Sequence, residues 1–148
     1  MNRNLLGALL LSALSLSLPA CAGQPEDAPL NESASVSLTG MTLTLQDQNG
    51  HCSLRKDDGS LLSLEIPWPC AFSQDRHGQP RVEKFNQGSE IVIVYHAVPE
   101  PAPSQACDTR FQAVRLMKGQ LEASMVARNA MCMKGVIDQK NFVALFDW

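Results

Sequence analysis

The sequence predicts a mainly β domain, or a β-rich α+β one. The expected form is a small antiparallel sheet or sandwich, stapled by two disulfides, with room for a short C-terminal helix. Three observations predict it. Apolar and polar residues alternate with period two over several short runs. Asn-Gly, Asp-Gly and Lys-Gly steps separate those runs at hairpin spacing. Cys52, Cys70, Cys107 and Cys132 lie among them, and a small exported fold uses such cysteines as cross-links.

Val36-Ser37-Leu38-Thr39 alternates, and Met41, Leu43 and Leu45 resume the alternation after a phase shift at Gly40. That reads as a strand with a bulge or bend at the glycine. Asn49-Gly50 and Asp58-Gly59 predict tight turns. His51 to Lys56 and Leu61 to Ile66 read as strands on either side of the second turn. Pro67-Trp68-Pro69 ends the latter strand, and Ser73 to Pro80 is a polar loop. Arg81 to Phe85 reads as a strand. In Glu90 to Val98, Ile91, Ile93 and Tyr95 share one face, and Val92, Val94 and His96 share the other. Apolar residues on both faces predict a central strand. Pro99, Pro101 and Pro103 make the following segment an extended, stiff connector. Phe111 to Met117 and Gln120 to Met125 flank Lys118-Gly119, which predicts another hairpin. Asp138 is placed to cap a short helix carrying Phe142, Val143, Leu145 and Phe146, and the same stretch is also compatible with a final strand.

The chain has 148 residues, 45% hydrophobic and 18% charged, which excludes wholesale disorder. A net charge of −3 and an aromatic content of 5% leave neither a phosphate-neutralising surface nor many stacking platforms. No nucleic-acid partner is expected.

The first residues carry an address. Arg3 supplies a positive charge, and Leu5 to Leu18 is apolar apart from Ser12, Ser15 and Ser17. The run is too short for a spanning helix of about 20 residues and has the size of a signal-peptide core. Leu18-Pro19-Ala20-Cys21 follows. It resembles the lipobox of bacterial lipoproteins, with Pro19 where Ala or Ser is more usual. The resemblance implies cleavage before Cys21 and lipidation of Cys21. Ala22, rather than Asp, implies delivery to the outer membrane, facing the periplasm. Acyl chains gain about 0.8 kcal/mol per buried methylene, so several on one cysteine anchor the protein firmly to a membrane. Ala22 to Ser35 holds Glu26, Asp27 and Glu32, no basic residue, and Leu30 as its one large apolar side chain. It reads as a tether with an r.m.s. reach of about 20 Å. The expected organisation is therefore a signal peptide over 1–20, the lipidated cysteine and tether over 21–35, and a periplasmic β-rich domain over 36–148. That domain is nearly neutral, because Arg3 and three acids are the only charges before it.

Lipidation uses one of the five cysteines and leaves an even four. In an oxidising periplasm the expected state is two disulfides. Of the three connectivities, Cys52–Cys70 with Cys107–Cys132 is favoured, because each pair spans a predicted hairpin. Loops of that length give about 3 kcal/mol per bridge in the chain-entropy model.

Signatures of catalysis and metal binding are sparse. The sequence has no Cys-x-x-Cys, Gly-x-Ser-x-Gly, Walker loop or His-Glu-x-x-His. Asp47-Gln48-Asn49-Gly50 lacks the glycine position and closing glutamate of a calcium loop and reads as a turn. Met131-Cys132-Met133 offers soft ligands suited to Cu(I). On a strand the two methionines would share one face and the cysteine the other, which favours core packing. No cofactor and no metal are expected. His51 and His96 are the candidate bases for an enzyme reading, and His51 adjoins Cys52. His77 lies in a turn.

The most distinctive segment is Pro67-Trp68-Pro69-Cys70-Ala71-Phe72. Two prolines and a bridged cysteine hold Trp68 in place, and a pre-ordered aromatic loses little entropy on contact. Pro67, Trp68, Pro69 and Phe72 are the candidate binding residues. The expected function is that of a membrane-anchored, non-catalytic protein-binding module of the inhibitor, immunity or envelope-assembly type. The alternatives are a small envelope enzyme using His51 or His96, and a copper- or redox-stress binding protein.

Overall fold

The computed structural model describes residues 35–85 and 88–148. The expected signal peptide, Cys21 and all of the tether but Ser35 lie outside the described residues.

Strands β1 (Ser35–Leu38) and β2 (Met41–Gln48) form an antiparallel hairpin with Leu38 opposite Met41. The loop between them is Thr39-Gly40, with φ of 42° and 81°. Two successive positive φ values are the mark of a type I′ turn, so the phase shift at Gly40 is a chain reversal and not a bulge. A β-branched residue rarely occupies that region. Here the Thr39 N–H donates to Glu90 Oε2 at 2.5 Å, which holds the turn. Asn49 and Gly50 make the same kind of turn, at φ 56° and 81°, and lead into β3 (His51–Arg55). The turn at Asp58-Gly59 then leads into β4 (Leu61–Pro67). These four strands form one antiparallel sheet in the order β1-β2-β3-β4.

The second sheet is built around two long strands, β7 (Ser89–Pro99) and β8 (Cys107–Met117), paired from Glu90↔Leu116 to Pro99↔Cys107. Short strands share their outer edges. On β7 these are β5 (Ala71–Phe72) and β6 (Glu83–Phe85). On β8 they are β9 (Gln120–Ala123) and β10 (Ala127–Asn129). Ser124 joins β9 to β10: its N–H reaches the Ala113 carbonyl and its hydroxyl accepts the Ala113 N–H at 2.9 Å.

The strand alternation determines the layers. Leu38, Leu43, Leu54 and Ile66 of the first sheet pack against Val92, Val94 and Val114 of the second, all fully buried. Gln112 also lies between the sheets. Its side chain accepts the Glu65 N–H at 2.6 Å and donates to the Ser124 carbonyl at 2.8 Å. The opposite face of the second sheet carries Ile91, Ile93, Phe111 and Ala113, and it is covered by Met133, Ile137, Phe142 and Phe146. This explains why β7 is apolar on both faces.

The helical alternative is the one that forms near the C-terminus, as α1 (Lys140–Val143). Asp138 accepts the Lys140 N–H at 2.9 Å, one residue before the cap position at Gln139. Two arginines bind this segment to the sheet. Arg81 lies 4.9 Å from the Phe142 ring centre and donates to the Ile137 carbonyl. Arg115 lies 4.4 Å from Phe146 and 5.1 Å from Trp148, and pairs with Glu122 at 2.8 Å. Guanidinium over an aromatic face is attractive by about 0.5–2 kcal/mol. Among the described residues no helix is long and apolar enough to cross a membrane.

Candidate functional site

The hairpin turns and linking segments gather at the two ends of the sandwich, and the two ends differ. One end holds the Thr39-Gly40, Asp58-Gly59 and Lys118-Gly119 turns. The other holds the Asn49-Gly50 turn, Pro67 to Pro69, the end of β7 with Pro99 to Pro103, and the start of β8. Both disulfides lie at this second end. They are Cys52–Cys70, with Cα atoms 6.1 Å apart, and Cys107–Cys132, at 5.0 Å. The sequential pairing is the one formed, and each bridge closes a loop over neighbouring strands. The cis peptide bonds found among the described residues, Trp68–Pro69 and Ala102–Pro103, lie here as well.

Trp68 is half-buried against the inter-sheet core, and its N–H donates to the Gly50 carbonyl at 3.0 Å. Pro67 is half-buried opposite His51, and Pro69 is exposed. Phe72 departs from the expectation of a binding residue on the surface. It lies on β5 at 3% exposure, inside the core. Of the four candidate residues, Pro67 and Trp68 are therefore half-buried, Pro69 is exposed and Phe72 is in the core.

The histidines are held apart. His51 is exposed, and its neighbour Cys52 is fully buried in a disulfide, so no thiol is available to it. The His96 Nδ1 lies 2.7 Å from the Pro69 carbonyl. A carbonyl only accepts, so Nδ1 carries the hydrogen. The turn at His77 is ordered by Asp75, which accepts the N–H groups of His77 at 2.7 Å and Gln79 at 3.0 Å. Those two N–H groups hold the Asp75 carboxyl below the usual aspartate range.

Met131 and Met133 do not share a strand face. They flank Cys132 in an irregular segment, with Met131 47% exposed and Met133 packed in the second core. Met133 has φ 53°, which turns the chain. Among the described residues no group of three His, Cys, Asp or Glu side chains could hold a metal ion.

A cleft of about 470 Å³ opens beside the Cys107–Cys132 bridge, bordered by Pro99, Ser104, Gln105, Met131 and Lys134. Met131 on its lining is 47% exposed, and Val98, next to Pro99 on β7, is 49% exposed. Sequence reasoning also missed a cross-strand row beside Pro69. His96 on β7 stands opposite Arg110 on β8, and Arg110 stands opposite Arg128 on β10. These residues are far apart in the chain, and only the strand register aligns them.

Compared with protein-family models, curated proteins and solved structures, the chain matches none.

Proposed function

We propose that the protein is a non-catalytic protein-binding module of the inhibitor, immunity or envelope-assembly type. A lipid on Cys21 anchors it to the bacterial outer membrane, facing the periplasm. It meets its partner through the cross-linked end of the sandwich. The observation that carries this reading is the gathering of both disulfides, the proline-rich segments, half-buried Trp68 and the cleft with exposed Met131 at a single end. Proline fixes φ, and a disulfide limits the excursions of the segments it joins. A surface ordered before contact loses little entropy on contact. The test is in vivo photo-crosslinking from Trp68, Pro69 and Met131, followed by mass spectrometry. One abundant protein captured from all three positions supports the reading. Background alone at all three contradicts it.

A further inference from the structure

The row His96–Arg110–Arg128 is electrostatically unbalanced. Val92, Val94 and Val114 face the inter-sheet core, and His96 and Arg110 follow the same alternation. Ala127 packs on the opposite face, which puts Arg128 on the face of Arg110. The two guanidinium groups thus sit on directly paired residues of adjacent strands. Like charges directly opposite each other are destabilising. Asp108 approaches Arg110 at 4.0 Å, with both side chains well exposed, which is weak compensation. Among the described residues no acid pairs with Arg128 or with His96. The His96 Nδ1–H is committed to Pro69, so the neutral ring offers Nε2 only as an acceptor, and the two arginines are the donors of the row.

We propose that the Arg110–Arg128 pair of this row is an oxyanion subsite that takes a carboxylate from an acidic segment of a protein partner. The subsite deepens the proposed function, resting on that reading for the source of the oxyanion. Arg110 and Arg128 are paired residues of adjacent strands, and a planar guanidinium fork matches the geometry of carboxylate oxygens. The adjoining Pro67 to Pro69 segment supplies an apolar contact next to the charge. A phosphate-bearing lipid surface is the less suitable occupant. Adsorption to anionic lipid draws on clusters of four to eight basic residues, and this nearly neutral domain offers two arginines here, with Lys134 at the nearby cleft.

The test is NMR titration of the full mature protein, following the Nε–H signals of Arg110 and Arg128 and the ring signals of His96. The probes are hexaglutamate, hexaglutamine, inorganic phosphate and phosphatidylglycerol vesicles. Hexaglutamate is expected to shift both arginine signals together, and hexaglutamine neither of them. Arg110→Gln and Arg128→Gln are each expected to weaken hexaglutamate by about tenfold or more, the size of one charge-assisted hydrogen-bonded contact. In low salt without the peptide, Arg128→Gln is expected to raise Tm, because it relieves the like-charge pair. Shifts spread evenly over all cationic side chains, or unchanged in the double variant, would overturn the subsite. Binding of phosphate or vesicles in preference to hexaglutamate would overturn the protein partner as the source. A partner captured at this end whose affinity ignores Arg110→Gln overturns the subsite and leaves the proposed function standing. Specific hexaglutamate binding with no captured partner does the reverse.

Discussion

Phe142→Ala tests whether the C-terminal segment is part of the cooperative fold. Phe142 is fully buried, between the second sheet and the turns around α1. Truncating a buried phenylalanine costs about 3–5 kcal/mol, combining lost transfer energy with the cavity left behind. Arg81 also loses the ring beneath its guanidinium, 4.9 Å away, worth about 0.5–1 kcal/mol. The two overlap, since the ring is part of the deleted area, so the expected loss is about 4 kcal/mol. A domain this size changes Tm by about 4 °C per kcal/mol, which gives a fall of about 15 °C. Urea denaturation followed by tryptophan fluorescence measures the loss, because Trp148 packs edge-on to Phe146 and tilted to Phe85. Hydrogen exchange locates it. Neither disulfide reaches beyond Cys132, so protection is expected to fall first over 137–148. A loss below about 1 kcal/mol, with protection intact there, would refute the assignment of Phe142 to a packed second core. Val136→Ala, at a 57% exposed site, serves as the near-silent control.

Three further outcomes are expected. Replacing Cys107 and Cys132 together by alanine lowers stability by about 3 kcal/mol, and the intact mass of residues 22–148 lies about 4 Da below that of the fully reduced chain. A mass equal to the reduced chain contradicts both bridges. Lys84, 2.9 Å from Glu90, and then the Thr39 N–H hold the Glu90 carboxyl below the usual glutamate range, against the opposing effect of burial. A depressed folded pKa means that this stabilisation is complete above the unfolded value, about 4.3, and is lost as pH falls through the folded one. Glu90→Gln is therefore expected to flatten the acid limb of stability against pH, and an unchanged limb refutes the linkage. Cys21→Ser is expected to abolish palmitate labelling, and continued labelling would refute lipidation at that residue.

Much of the fold was legible because strand alternation and X-Gly turns are local signals. The two-faced apolar pattern of β7 announced a central strand, and the second core confirms it. Even cysteines on predicted hairpins indicated the two bridges. The Thr39-Gly40 reversal was hidden because a threonine occupies a turn position where Asn or Asp is expected. The strands β5 and β10 have two and three residues, too few to show a period. Phe72 was misplaced because Pro67 to Phe72 reads as one aromatic segment, whereas pairing with Val94 turns Phe72 inward. Met131 and Met133 part company because the backbone between them is irregular, and period two does not apply. The basic row depends on register across three strands, which no single window of sequence contains.

Position-resolved photo-crosslinking in living cells tests the contact surface most directly. One set of probes sits at Pro69, Pro101 and Met131, and the other at Asp58 and Lys118 on the opposite end. Capture of the same protein from the first set, and background from the second, is the predicted result. Capture from the second set alone would contradict the assignment of the cross-linked end as the contact surface.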